Sequence, residues 1–262
     1  MNLKRTLTSP GLRPLWLILV LLVLWDVVIR LFRIPPYLVP NPASVAKQLV
    51  VEWPMLMRET LPTLYATLGG FALSAVVGVP VAMWIAHSRV VESFVYPLLV
   101  FSQSIPKVAI APLFVVWFGF GIVPKVIAAF LLGFFPVIVA TVQGFKSVEG
   151  DVIDLARSMG AGPFKIFMKF RLPHAMPSIF SGLKVSVTLA VVGAVVGEFV
   201  GSNSGLGYVL QKANGTFDLP LMFAALVILS MIGVLLFLVI ELTERWLMPW
   251  HASQRYDVQA TA

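Results

Sequence analysis

Ionisable side chains are rare in this sequence, and those set within apolar stretches are the ones whose chemistry has to be explained. Asp26, Lys107, Lys184, Glu198 and Glu241 lie in or near such stretches, where an unpaired charge costs about 2.5–3.5 kcal/mol on insertion scales. Each needs an opposite charge, a wet cavity or a place near the lipid headgroups. Asp26, Lys184 and Glu241 fall near the ends of their stretches and can reach the headgroups by their own length. Lys107 lies in a segment interrupted by Pro106 and Pro112, beside Ser102, Gln103 and Ser104, and Glu198 lies beside a run of small residues. Gln103, Lys107 and Glu198 are therefore the candidates to border a polar path through the apolar layer.

Other chemistries lack their residues. There is no Cys, so no disulfide, thiolate metal site or cysteine nucleophile exists. His occurs at 87, 174 and 251, with no spacing that pairs ligands. No G-x-x-x-x-G-K-[ST] phosphate loop and no G-x-S-x-G elbow occurs. No catalytic residue and no metal site is expected. The glycine-rich stretch from Gly201 to Gly207 follows an apolar span instead of a strand, so it reads as a turn-rich loop and not as a dinucleotide fingerprint.

What must position these residues follows from composition. Of 262 residues 59% are hydrophobic and 12% charged, with a mean hydropathy of +0.93, whereas soluble domains carry about 25% charged residues. The solvent of this chain is largely lipid. The +7 charge fits Lys and Arg in loops facing anionic lipid better than nucleic acid. Apolar stretches at about 15–31, 64–86, 94–117, 123–142, 179–200 and 221–242 are each long enough to span roughly 30 Å of hydrocarbon. Lone strands are excluded because their backbone groups have no partner in lipid. The expectation is an all-α, polytopic membrane protein of six spans in one domain, its first span uncleaved. With the N-terminus inside, eleven Lys and Arg fall in cytoplasmic segments and six in outer ones, which puts both termini in the cytoplasm. In the first outer loop, Asn41 to Ser44 opens a short surface helix capped by Ser44 or a neighbour.

The longest polar insertion, 143–177, separates the fourth and fifth spans. Within it Val152, Leu155, Ala156 and Met159 share one helix face, with Asp151, Asp154, Arg157 and Ser158 away from it. Gly160 marks the stop, and Gly162-Pro163 opens a second amphipathic helix to about Phe170. Pro173 and Pro177 close the loop. A nine-residue helix is marginal alone, since isolated helices below about 12–15 residues seldom hold. Its apolar stripe needs a surface: its own bundle, the lipid interface, or the groove of a soluble partner.

This loop resembles the Glu-Ala-Ala motif of ABC importer permeases, in which glycine follows three residues later and Ile-x-Leu-Pro follows nine residues after that. Asp154, Leu155 and Ala156 stand at the first three positions, Gly160 at the glycine, and Phe170, Arg171, Leu172 and Pro173 at the close. The departures are Asp for Glu, Leu for Ala and Phe for Ile. Flanking stretches 102–119 and 195–208 resemble the nitrate, sulfonate and taurine importer permeases, and the likeness covers roughly residues 60 to 245. The resemblance implies a type I permease fold in a bacterial inner membrane. It implies that Asp151, Asp154, Leu155, Ala156, Arg157, Met159, Gly160, Leu172 and Pro173 couple the chain to an ATPase. It also implies two ATPase subunits using ATP and Mg, a second permease copy (the same chain or a close paralogue) and an extracytoplasmic substrate-binding protein that meets the 201–207 loop. No cofactor is expected in this chain. Gly193, Gly197 and Gly201, four apart, would line either the seam between two permeases or a contact inside one. A self-contained secondary transporter or channel is the alternative; it would show matching broken halves, and no inverted repeat is visible. An intramembrane enzyme would need the motifs found missing above.

Overall fold

The computed structural model describes residues 13–249; Lys4, Arg5 and Arg255, three of the eleven basic residues counted as cytoplasmic, and His251 lie outside them. The order is α1 (Arg13–Leu31), α2 (Pro42–Val51), α3 (Trp53–His87), α4 (Arg89–Gln103), α5 (Lys107–Phe118) and α6 (Ile122–Lys146). Then follow α7 (Gly150–Ser158), α8 (Pro163–Ile166), a π turn (Phe167–Arg171), α9 (Leu172–Gly201), α10 (Leu206–Gly215) and α11 (Leu219–Leu247). No strand occurs among the described residues.

Among the described residues four helical runs are long and apolar enough to cross a membrane: α3, α6, the run Pro163–Gly201 and α11; the α4–α5 pair makes five if counted as one broken span. At the expected first span stands α1, 19 residues long, with every side chain from Trp16 to Leu24 exposed. It meets the rest through α2 and through Trp25, whose ring lies 5.6 Å from Phe223. The short helix α2 is capped by Asn41, whose side-chain oxygen accepts the Ser44 amide at 2.7 Å, so Ser44 is not the cap.

The expected third span is not one rod. Helices α4 and α5 meet at 92° across residues 104–106. Proline has no amide to donate and keeps the residue before it out of the helical region, so the helix that stops at Gln103 cannot resume through Ile105, and Pro106 stands as the N-cap of α5. The fifth span also differs. Pro173 sits in the first turn of α9, where a missing amide costs little, and Pro177 lies within the helix. The helical run continues for 39 residues from Pro163, so the loop does not close at the prolines but merges into the span.

The core is α3, α6 and α9 packed along their lengths. Apolar side chains gain little over lipid tails, so close contact requires small residues. Ala66, Ala129, Ala190 and Ala194 are all fully buried at one crossing. A Cβ at Gly193 would lie 2.5 Å from the Ala129 Cα and 2.6 Å from the Ala128 carbonyl. Gly193 thus packs within the chain against α6, and so does Gly197, over the Lys125 Cα. The small-residue face is an internal contact. At one end of this core α2, α10 and α11 add a cluster around Leu56, Leu206 and Ile228.

Gly193→Leu should therefore separate α9 from α6, at a cost of about 1–3 kcal/mol for overpacking. The lost packing reads as a lower melting temperature and poorer monodispersity in detergent. Gly233→Leu, where an added Cβ meets nothing, should leave both unchanged. Equal behaviour of the two variants would refute this account.

Candidate functional site

At the end of the bundle where α6 stops, α7 and α8 stand as a small folded unit. Ile153, Ala156 and Ile166 are buried together with Val148 and Ala161 against them. Helix α7 closes in two reverse bonds, Gly160 N–H to the Arg157 carbonyl at 2.9 Å and Ala161 N–H to the Ala156 carbonyl at 3.0 Å. This is a Schellman closure, with Ala161 packing on Ala156 and Gly160 at φ +76°. A side chain at Gly160 would meet open space, so the glycine answers to the backbone alone.

The helix face read from periodicity is corrected here. Of Val152, Leu155, Ala156 and Met159, only Ala156 turns inward; Leu155 and Met159 are 63% and 79% exposed. Ile153 and Ala156 form a second stripe three residues apart, and Ile166 on α8 decides that this one is covered. Leu155, Met159 and Phe164 (78% exposed) are left as an outward apolar surface. Asp154 and Arg157 pair at 2.9 Å, both exposed, and Asp151 is exposed.

Leu172 and Pro173 belong to the root of this unit and not to its outward face. Leu172 packs on Phe145, Ala175 and Ile179, where the Phe145 and Phe167 rings stack at 5.7 Å and 12°. Pro173 borders a cleft of about 720 Å³ with Glu149, Lys169 and His174. The Lys146–Glu92 ion pair ties the end of α6 to the first turn of α4.

The three path candidates do not come together. Gln103 is exposed at the α4–α5 corner. Lys107, half-buried, holds its ammonium 4.6 Å from the Phe135 ring centre, a cation–π contact. Glu198 lies elsewhere: its partner Lys125 is ten residues before Phe135 on α6, about 15 Å along the axis. The Glu198 carboxylate is fully buried. It accepts the Thr63 hydroxyl at 2.9 Å and 3.0 Å and the Gly207 amide at 2.8 Å, with the Lys125 ammonium 3.6 Å away. Glu198 thus borders no open path within this chain.

Lys125, Thr63 and Glu59 are the residues that the sequence pattern missed. Lys125, at the start of the 123–142 stretch, is one of the six basic residues counted as outer, yet it is 4% exposed. The available signal was that Glu198, within an apolar run, required a cation. Which cation depends on how α6 lies against α9.

A family model described as binding-protein-dependent transport system inner membrane component matches residues 78–250. A probable ABC transporter permease of Haemophilus influenzae is 39% identical over 230 residues, 88% of this chain and 94% of that protein. The formylaminopyrimidine transport permease ThiX of Halalkalibacterium halodurans is 40% identical over 245 residues, 93% and 98% of the two chains. Among solved structures, an inward-facing MetNI methionine ABC transporter superposes with a TM-score of 0.62 at 21% identity, covering 71% of this chain and 92% of that one. That likeness is one of fold.

Proposed function

The chain belongs to the family of binding-protein-dependent transport system inner membrane components, and from that membership we propose how it works within an importer. It is a multi-pass membrane protein and the permease subunit of an ABC importer. In our reading two copies of it, or one copy and a close paralogue, pair with two ATPase subunits that use ATP and Mg. An extracytoplasmic binding protein delivers the solute to the α10 end. The solute is small and polar or anionic, of the sulfonate, taurine, nitrate or pyrimidine-precursor kind; the 40% identity to a formylaminopyrimidine permease favours the last.

The observation that carries this reading is the outward face of α7 and α8. Leu155, Met159 and Phe164 are exposed, while the inward face is already filled by Ile153, Ala156 and Ile166. An apolar face beside the exposed Asp154–Arg157 pair suits the groove of a soluble ATPase. Asp151, Asp154, Leu155, Ala156, Arg157, Met159 and Gly160 form the coupling segment, with Ala156 and Gly160 shaping it and Leu172 and Pro173 anchoring it. Work reaches the spans because α8, the π turn and α9 are one helical run. In our reading α1 and the broken α4–α5 pair each count as a span, making six with the four long runs, and the Lys and Arg bias then puts this segment and both termini in the cytoplasm. Gln103 and Lys107, at the broken corner, face the solute, since irregular backbone at membrane depth is tolerated only against protein or water.

Leu155→Glu with Met159→Glu should cut co-purification of the ATPase about tenfold or more, as expected when hot-spot side chains are lost. Membrane abundance should stay normal. Full recovery of the ATPase with this double variant would remove the coupling role. A bulky residue at Gly160 should abolish transport without clearing the chain from the membrane.

Gln103→Ala should leave ATPase recruitment intact and lower ATP-driven uptake of formylaminopyrimidine; uptake at the unmodified rate would exclude it from the path. Because the chain has no Cys, sidedness can be read from single substitutions. In intact spheroplasts a membrane-impermeant maleimide should label Asn203→Cys directly and Ser158→Cys only after permeabilisation. The opposite pattern would invert the topology.

A further inference from the structure

Three consecutive backbone amides at the end of the 201–207 turn each donate to a side chain from another part of the bundle. The Gly205 amide donates to Glu59 at 2.6 Å, the Leu206 amide to the Thr63 hydroxyl at 2.8 Å, and the Gly207 amide to Glu198 at 2.8 Å. Successive amides pointing one way make a concavity for an anion; here the chain fills it with its own carboxylates. Lys125 completes the closure by donating to the Ser204 carbonyl at 2.8 Å. Glu59 and Thr63 belong to α3, Lys125 to α6 and Glu198 to α9, so one turn is bound to all three core helices at once.

The closure leaves no slack. Gly205 stands at φ +107°, and a Cβ there would overlap the Glu198 carboxylate. A Cβ at Gly207 would lie 2.7 Å from both the Glu198 Cβ and the Val195 carbonyl. The first turn of α10 therefore rests on the last turn of α9. Below it Leu206, Val209, Leu210 and Ala213 are buried, so α10 cannot shift without the turn that leads into it. At the other end of the same helical run, 39 residues long, stand α8 and the packing of Ile166 on α7.

We propose that Glu198 is a positioning residue: through Thr63 and Lys125 it clasps the 202–207 turn and α10 to the core helices, so that a displacement of α7 is delivered to that turn. The inference rests on the permease reading for the source of the displacement and on the geometry alone for the clasp. Glu198 touches no solute; it makes the far end of α9 and the turn beyond it a single body. Neutralising it while keeping its shape should free the turn and leave the ATPase contact, at the opposite end of the bundle, as it was.

The test uses Glu198→Gln and, as a variant that alters no charge, Thr63→Val. Hydrogen exchange of the amides at 205–207 should rise about tenfold in both, the factor expected when bonds to a charged or buried acceptor weaken. In the complex with its co-purified ATPase, basal ATP hydrolysis should stay within about twofold of the unmodified chain, since α7 is untouched. Maleimide labelling of Asn203→Cys should change about fivefold or more on adding ATP and vanadate in the otherwise unmodified complex, and less than about twofold with Glu198→Gln, as expected when the two ends no longer share one two-state element. Unchanged exchange at 205–207 would overturn the clasp. Faster exchange with an undiminished response to ATP would overturn its role in transmission. A fall in ATPase recruitment equal to the fall in response would reduce Glu198 to a general folding residue and overturn the proposal too. Failure of the permease reading looks different: the unmodified chain would recruit no ATPase at all.

Discussion

The crossing at Ala129 is the contact on which the remaining structure depends. In lipid, apolar area alone does not drive helices together, and dispersion contacts and buried polar bonds must do so. The fully buried Ala66, Ala190 and Ala194 surround Ala129, and Gly193 lets the α9 backbone touch that of α6. Gly70 does the same from α3, where an added Cβ would lie 2.7 Å from the Phe130 amide. Three backbones at this separation form a tight core, with the α7–α8 unit at one end of it and the Glu198 cluster at the other.

Each end uses glycine and buried partners differently. At the α7 end, Gly160 reverses the chain so that Ala161 packs on Ala156, and a three-residue apolar cluster holds a helix too short to persist alone. Its outward face remains uncovered. At the α10 end, Gly205 and Gly207 bring backbone amides against the half-buried Glu59 and the buried Glu198 carboxylates. The first end is held by a small apolar cluster. The second is held by charge-assisted hydrogen bonds in a region of low dielectric, where leaving one group unpaired is costly. The helical run 163–201 joins the two.

Charges inside the apolar layer follow the same economy. Lys125 and Glu198 face each other, and Lys184 pairs with Glu244 between α9 and α11. Asp26 and Arg30, and Glu241 and Arg245, pair one turn apart along single helices. Lys107 stands apart from these, set over the Phe135 ring at the broken corner. That exception coincides with the least regular backbone in the bundle.

Class and family were legible before any coordinates. Composition determined that the solvent is lipid, lipid determined that the spans are helices, and the spacing from Asp154 to Pro173 carried the resemblance to ABC importer permeases. These are local properties: hydropathy, proline and glycine placement, and a motif within one stretch of chain. The choice between two apolar stripes on α7 was not local, because Ile166 on α8 covers Ile153 and leaves Leu155 and Met159 bare. Nor was the partner of Glu198. A buried carboxylate predicts that a cation exists, but only the approach of α6 to α9 at small-residue contacts brings Lys125, rather than any other lysine, to within 3.6 Å of it. Pairing across helices depends on distances that no spacing along one chain contains, and so the tertiary structure alone decided it.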